Sequence, residues 1–285
     1  MKQMTTKEIQ DVALGVLKNF DKFCREKGIR YWLAEGTLLG AIRHHGFIPW
    51  DDDVDVCLQL EDYRRFVAEY VDSEKYKLFA PERKNSFLTY SRLCEMKDTH
   101  FAARLKWSDE ELGIGIDIFP VYSCPDDGSE YDGLMRKLED LTKNCFWRGR
   151  SVYARGLRLG KFRHNPFGFA KDVVHSLAQF VRYTWMGSPK YFQRKHAEFT
   201  KIQESCENKG YKHCYFSGVF FDRRFQWQKR WFEKLIEVAY ETEKFFVPAD
   251  YEELLTHRYG DWRTPPPETE RGGHIGCQVM YWRNK

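Results

Sequence analysis

A Cys-x-x-Cys pair is missing from this chain of 285 residues, although it carries eight cysteines. Thiols scattered in this way suit reduced, mostly buried side chains rather than a disulfide framework. Cys206, His213 and Cys214 lie close enough in sequence to be weighed as a zinc site, but their spacing is poor and no fourth ligand is evident. Also missing is any charge-free apolar run near the roughly 20 residues that a bilayer-spanning helix needs. The N-terminus has no signal-peptide core, so a cytosolic protein is expected. No internal repeat or low-complexity segment occurs. A net charge of +4 and the lack of a reading motif argue against nucleic acid as a partner. One absence is local: from Leu141 to Lys171 there is no acid, while Lys143, Arg148, Arg150, Arg155, Arg158, Lys161, Arg163 and Lys171 alternate with aromatic and glycine residues. Such a stretch suits donor phosphates, a lipid-linked glycan, or peripheral contact with the inner membrane surface, and equally a solvated basic face.

What is present is concentrated in Tyr31–Leu58, YWLAEGTLLGAIRHHGFIPWDDDVDVCL. Asp51, Asp53 and Asp55 recur every second residue, with Val54, Val56 and Leu58 between and beyond them. An extended chain puts those carboxylates on one face and the apolar side chains on the other. Carboxylates crowded on a half-buried strand repel one another unless a cation joins them, and all-oxygen ligands favour magnesium or manganese. Taken alone, the acidic run also suits a solvated turn. A calcium loop is the other rival, with Asp62 at its twelfth position, but the obligatory turn glycine is replaced by Val56. Ahead of the acids, the extended run Tyr31 to Ala34 leads through Gly36-Thr37 into a short helical pattern, Leu38 to Ile42. Strand, Gly-hydroxyl turn and helix N-terminus together form an anion seat. Arg43 in the following loop is a candidate phosphate clamp, because a guanidinium holds two phosphate oxygens at once. His44 and His45 beside it are weaker candidates.

The remaining elements read as follows. An amphipathic N-terminal helix carries Ile9, Val12, Ala13, Val16, Leu17 and Phe20 at helical spacing. Strands are expected at Asp53–Leu60, Tyr76–Phe79, Phe87–Met96 and Gly113–Val121, with a helix from Glu61 to about Val71. Asp117 alternates with apolar Ile114, Ile116 and Ile118. The turn at Cys124–Gly128 precedes helical patterns at Tyr131–Phe146 and Ala170–Met186. Near the end, Asp250 opens a short helix that Gly260 stops, and Pro265–Pro267 holds an extended arm, which brings Arg271 and His274 back toward the cleft. The fold class is therefore α/β, a mixed sheet flanked by helices with an additional mainly helical region. The expected divisions are a catalytic core at 1–124, a helical, basic and aromatic region at 125–240, and a returning C-terminal arm at 241–285.

The words GTLLGAIRHHGFIPWDDDVDV, GIDIFP at 115–120 and YGDW with Pro265–Pro267 and Arg271 resemble the LicD family of phosphocholine transferases, relatives of the fukutin-related proteins. That family lies within the nucleotidyltransferase, or DNA polymerase β-like, superfamily. The resemblance implies that Asp53, Asp55 and Asp117 hold Mg2+ or Mn2+, and that the terminal arm closes over the donor. It implies transfer of phosphocholine from CDP-choline, or of a related phospho-alcohol such as ethanolamine phosphate or ribitol phosphate from its CDP donor, with release of CMP. The acceptor would be a hydroxyl of a lipopolysaccharide, teichoic acid or other surface glycan. Gly36, Thr37, Arg43 and Arg271 would seat the donor phosphates, and Asp117 is a candidate general base. Trp50, Trp107, Tyr122 and Trp262 are candidates for an aromatic cage around choline. Two rival readings share these residues: a nucleotidyltransferase that consumes a nucleoside triphosphate and releases pyrophosphate, and a non-catalytic nucleotide-binding module.

Overall fold

A computed structural model of the protein describes residues 2–103, 108, 110–145, 185–216, 223–271 and 278–283, with positions 167, 173, 174 and 178 between them. Most of the acid-free basic stretch, the pattern at 170–186, Trp107 and His274 lie outside the described residues. The chain opens with β1 (Lys2–Gln3), α1 (Thr6–Lys27), β2 (Trp32–Leu33), α2 (Glu35–His44), β3 (Asp55–Gln59) and α3 (Leu60–Glu69). It continues through β4 (Tyr76–Phe79), β5 (Ser91–Glu95), β6 (Thr99–Ala103), β7 (Gly115–Cys124), α4 (Gly128–Cys145) and α5 (Pro189–Glu204). Last come β8 (His213–Phe216), β9 (Trp227–Gln228), β10 (Leu235–Tyr240), β11 (Glu243–Pro248), α6 (Tyr251–Tyr259) and β12 (Gln278–Trp282). Among the described residues no helix is long and apolar enough to cross a membrane.

α1 forms because Ile9, Ala13, Val16, Leu17, Phe20 and Cys24 make one apolar stripe, and all are buried. Its ends are fixed chemically. Thr5 Oγ1 accepts the Glu8 N–H while Glu8 Oε2 accepts the Thr5 N–H, and Gly28 closes the helix at φ 62°. The stripe packs on the main sheet, whose strands run β2-β3-β7-β5-β4. β3 and β7 are parallel, whereas β2–β3, β5–β7 and β4–β5 are antiparallel. This is the mixed sheet expected of the sequence.

Beyond Cys124 the chain returns to that sheet. β8 pairs with β7 through Val121↔Phe216 to Cys124↔His213, and Val121 also pairs with Gln59 of β3. β8 therefore continues the edge that β5 leaves at Ile118. Helices α4 and α5 cover this end through a separate apolar cluster that includes Tyr122, Tyr131, Leu138, Phe199 and Tyr215. The region 125–240 thus holds helices but also strands. β8 and β9 span only four and two residues, too short for an alternation to register in the sequence. The division drawn at 240/241 falls inside a hairpin, because β10 pairs with β11 from Leu235↔Pro248 to Tyr240↔Glu243. That hairpin docks on the end of α2 and the loop after it: the Glu241 N–H donates to the His45 carbonyl at 2.8 Å, and Glu241 Oε1 accepts the Phe47 N–H at 3.1 Å.

Gly40 is where α2 meets the loop leading to the acids. A Cβ there would sit 2.5 Å from the Gly46 carbonyl oxygen and 3.3 Å from the Ile48 nitrogen, both backbone atoms. Gly40→Ala is expected to cost about 1–3 kcal/mol by overpacking, and a thermal melt should fall by several degrees. A melting temperature at or above wild type would show that the loop yields freely.

Candidate active site

The acidic run keeps the two-residue period that the sequence suggests. Asp51, Asp53 and Asp55 are half-buried, whereas Asp52 and Val54 between them and Val56 after them are buried. Val56 belongs to β3, which rules out a twelve-residue calcium loop here. Gln10 of α1, itself buried, braces the turn before the run by donating through Nε2 to the carbonyls of Asp51 at 2.9 Å and Ile48 at 3.3 Å.

Parallel pairing sets Asp55 directly beside Asp117, and antiparallel pairing sets Asp117 beside Arg92. Residues in register on adjacent strands point to the same face, so Asp55, Asp117 and Arg92 form one row across three strands. Arg92 Nη1 donates to Asp117 Oδ1 at 2.6 Å, and both side chains are largely buried. Burial pulls the guanidinium toward neutrality, but Asp117, followed by Cys94, Tyr90 and Asp53, together outweigh it, so Arg92 is held above its usual range. The Asp55 carboxyl is raised well above the ordinary aspartate value. Loss of hydration is the first cause, followed by the charges of Asp53, Asp117, Glu35 and Asp51. Arg92 was not among the residues singled out from the sequence. Its one signal there is a charged residue inside an apolar strand pattern, since all of β5 is buried.

The anion seat differs in detail from the expectation. α2 begins at Glu35, with Ala34 as its N-cap, so Gly36 and Thr37 form the first helical turn rather than a turn ahead of it. The N-cap residue, Ala34, has no side-chain oxygen to cap this end. Gly36 faces the acids, and a Cβ on it would meet Asp51 Oδ2 at 2.8 Å. Thr37 is buried, and its Oγ1 accepts the Asp55 N–H at 2.9 Å, which ties α2 to the acid strand. Glu35 has a left-handed φ of 45°. Its carboxylate receives Arg258 Nε at 2.7 Å and the Tyr259 hydroxyl at 3.4 Å, so α6 is anchored to this turn.

The C-terminal arm does reach the basic loop. Arg43 Nη1 donates to the Trp262 carbonyl at 2.8 Å, and the Arg271 guanidinium lies 4.8 Å from the centre of the Trp50 ring. Burial lowers the Arg43 pKa, Tyr259 opposes that, and Arg271 adds to it, so the two guanidinium groups sense each other. Neighbouring cations of this kind suit an anionic ligand. His44 supports the arrangement. Its Nε2 accepts from Arg43 Nε at 3.0 Å, and burial, then Arg43 and His45, lower its pKa. His45 serves as the C-cap of α2 at φ 56°.

The aromatic cage is not gathered as expected. Tyr122 packs in the distant cluster against Tyr215. Trp262 is buried with Arg263 over its ring at 4.2 Å, and the ring of Trp50 already faces Arg271. These rings were grouped by nearness in sequence, which β-sheet geometry does not respect. Cys206, His213 and Cys214 form no metal group, and no three His, Cys, Asp or Glu side chains among the described residues stand as a ready cage for an ion. The carboxylates of Asp53, Asp55 and Asp117 nonetheless suit a hard divalent cation by donor type, and the Asp55 carboxyl is raised by burial first and then by the neighbouring negative charges.

Residues 28–144 match the LicD/FKTN/FKRP nucleotidyltransferase domain. The chain is 30% identical to the lipopolysaccharide cholinephosphotransferase LicD of Haemophilus influenzae over 282 residues, 96% of this chain and 97% of that protein. It is 63% identical to the human and mouse ribitol 5-phosphate transferase FKRP over 35 residues, 12% of this chain and 7% of each of those proteins. To the mouse ribitol-5-phosphate transferase FKTN it is 36% identical over 58 residues, 20% of this chain and 11% of that one.

Proposed function

Because this chain belongs to the LicD family, we propose that it transfers phosphocholine, or a similar phospho-alcohol, from a CDP-activated donor to a hydroxyl of a surface glycan or its lipid-linked precursor, releasing CMP. The observation that carries the reading is the row of Asp55 and Asp117 on adjacent parallel strands, with Asp53 just ahead, together with the N-terminus of α2, whose Thr37 binds the Asp55 amide, and the Arg43–Arg271 pair. The transferred group is read from the relative matched end to end, a cholinephosphotransferase named for lipopolysaccharide. Ribitol phosphate is the second candidate, because the short segments shared with FKRP and FKTN come from ribitol phosphate transferases. A cytosolic location with peripheral contact at the inner membrane face belongs to the same proposal.

In this reading Asp53, Asp55 and Asp117 hold magnesium or manganese, which when bound supplies positive charge to a diphosphate. Arg43, positioned by His44 and the Trp262 carbonyl, and Arg271 from the arm grip phosphate oxygens. The N–H groups of the first α2 turn add their dipole to that grip. Gly36 lets backbone and ligand approach closely, since no Cβ intervenes. Thr37 fixes the height of Asp55 through the strand amide. Asp117 is better suited to orientation by Arg92 than to proton transfer, because its Oδ1 accepts from the guanidinium, which favours the ionised carboxylate and makes it a weaker base. In-line attack by that hydroxyl on the distal phosphorus then forms the phosphodiester and breaks the bond to CMP.

Product analysis tests the reading. Incubation with CDP-choline, magnesium and a glycan acceptor should release CMP, and CDP-ribitol should be turned over more slowly. Pyrophosphate released from CTP, with CDP-choline inert, would transfer the same residues to nucleotidyl chemistry.

A further inference from the structure

Arg258 of α6 is gripped on two sides, yet most of its hydrogen-bonding capacity is unused. Its Nε donates to Glu35 Oε2 at 2.7 Å, and its guanidinium lies 4.3 Å from the centre of the Phe225 ring and 4.7 Å from that of Tyr259. Both neighbours lead to the acidic row. Glu35 opens α2, whose N-cap Ala34 donates its N–H to the Asp55 carbonyl at 2.9 Å and whose Thr37 Oγ1 accepts the Asp55 N–H. Phe225 packs on Phe216 at 5.2 Å between centres, and Phe216 on Phe119 at 4.9 Å. Phe119 lies two residues beyond Asp117 on β7 and so shares its face. Arg258 therefore stands over the face of the sheet that carries Asp55 and Asp117. Nη1 and Nη2 have no hydrogen-bond partner among the described residues, and neither is shut off from solvent, although the side chain is only 15% exposed. A strut needed only to tie α6 to α2 would gain more by pairing two nitrogens side-on with the carboxylate. Here the terminal end of the fork is left open, while the stacking and the Nε bond fix its direction, so little side-chain freedom remains to be lost when a ligand binds.

We propose that Arg258 is a third donor-binding arginine, its Nη1 and Nη2 gripping two oxygens of the nucleoside diphosphate that the acidic row and α2 receive. This rests on the CDP donor named under Proposed function. A guanidinium offers phosphate a planar pair of donors that an ammonium cannot copy. Glu35 orients the fork through Nε, whereas its negative charge opposes a diphosphate, so its oxygen rather than its charge serves the site. Arg258 lies four residues ahead of Trp262, whose carbonyl holds Arg43, and α6 with the turn after it thereby places two of the three arginines.

The test is calorimetric titration of wild type, Arg258→Lys and Glu35→Gln with CDP in magnesium, with a melt of each protein. Arg258→Lys keeps the charge and loses the fork, and is expected to weaken CDP binding at least about tenfold. Glu35→Gln keeps an oxygen for Nε and removes the opposing charge, so it should bind CDP as tightly as wild type or more tightly. Both variants weaken the same ion pair, and under a purely structural role they would lose affinity together. That result overturns the inference, as does a loss below tenfold in Arg258→Lys, or an Arg258→Lys protein that no longer folds. Wild type that fails to bind CDP overturns the donor assignment itself, and the inference with it.

Discussion

Asp55→Asn is expected to reduce turnover at least about a thousandfold, corresponding to some 4 kcal/mol of lost transition-state stabilisation, and at the same time to raise the melting temperature of the metal-free protein. Both effects have one origin. Asp55 stands in register with Asp117, and burial first, then the charges of Asp53, Asp117, Glu35 and Asp51, hold its carboxyl well above the usual range. A carboxyl whose folded pKa exceeds its unfolded one, ordinarily near 3.9, favours the unfolded state as pH rises, because the unfolded chain gives up the proton more readily. Metal-free wild type should therefore lose stability as pH climbs from the ordinary aspartate range toward the raised folded pKa, and Asp55→Asn should lose less. At neutral pH the gain should be about 3 °C or more, the shift that roughly 1 kcal/mol produces in a chain of this size. Magnesium should reverse the order, stabilising wild type by mass action and leaving the variant nearly unchanged. Calorimetric melts with and without magnesium, alongside CMP release, check both halves. Turnover close to wild type, or a variant that melts lower without metal, would remove Asp55 from the site.

Arg92→Met is expected to give the largest loss of stability. Arg92 and Asp117 are a buried ion pair at 2.6 Å, with side chains 5% and 14% exposed. Removing one partner leaves the other charge without compensation, typically at a cost of 3–5 kcal/mol, or about 10 °C in this size range. Here the stranded group is a carboxylate already beside Asp55 and Asp53, so the loss should lie toward the upper end. Magnesium should restore part of it. Replacing both residues, Arg92→Met with Asp117→Asn, should be less destabilising than the sum of the single changes, and the double-mutant cycle measures that coupling. A drop below about 3 °C for Arg92→Met would mean that the pair contributes little, as many exposed pairs do.

The contrast between these two residues shows what the sequence made legible. Asp53 and Asp55 announce themselves because an alternating strand separates its faces every second residue. Asp117 follows from the same rule in GIDIF. Their meeting required two strands 62 positions apart to align in parallel, as the Asp55↔Asp117 pair does, and this the family resemblance supplied rather than the spacing. Arg92 was overlooked because a single arginine in an apolar run reads equally as an edge charge. Only the β5–β7 register places it against Asp117. The start of α2 was set too late because glycine lowers helix propensity in an interior, whereas at 36 it occupies the first turn, where close approach to Asp51 matters more.

The hairpin of β10 and β11 was hidden for a different reason. Its two-residue connection is Glu241-Thr242, with Glu241 at φ 53°, in place of the Asn-Gly or Asp-Gly signal that marks such turns. Contacts of the Glu241 side chain with Phe47 and of its backbone with His45 hold that strained residue, and neither contact is visible in local sequence. Arg43 and Arg271 were both singled out, yet what joins them is tertiary: Trp262 offers its carbonyl to one, and Trp50 its ring to the other.

The central claim is that Asp53, Asp55 and Asp117 bind a divalent ion that a CDP donor requires. Calorimetric titration of the protein with CDP-choline, in magnesium and in chelator, tests it most directly, with Asp53→Asn as the control. The account predicts saturable binding in magnesium, and binding weakened at least about tenfold both in chelator and in Asp53→Asn. Equal affinity with and without magnesium, or wild-type affinity in Asp53→Asn, would contradict it.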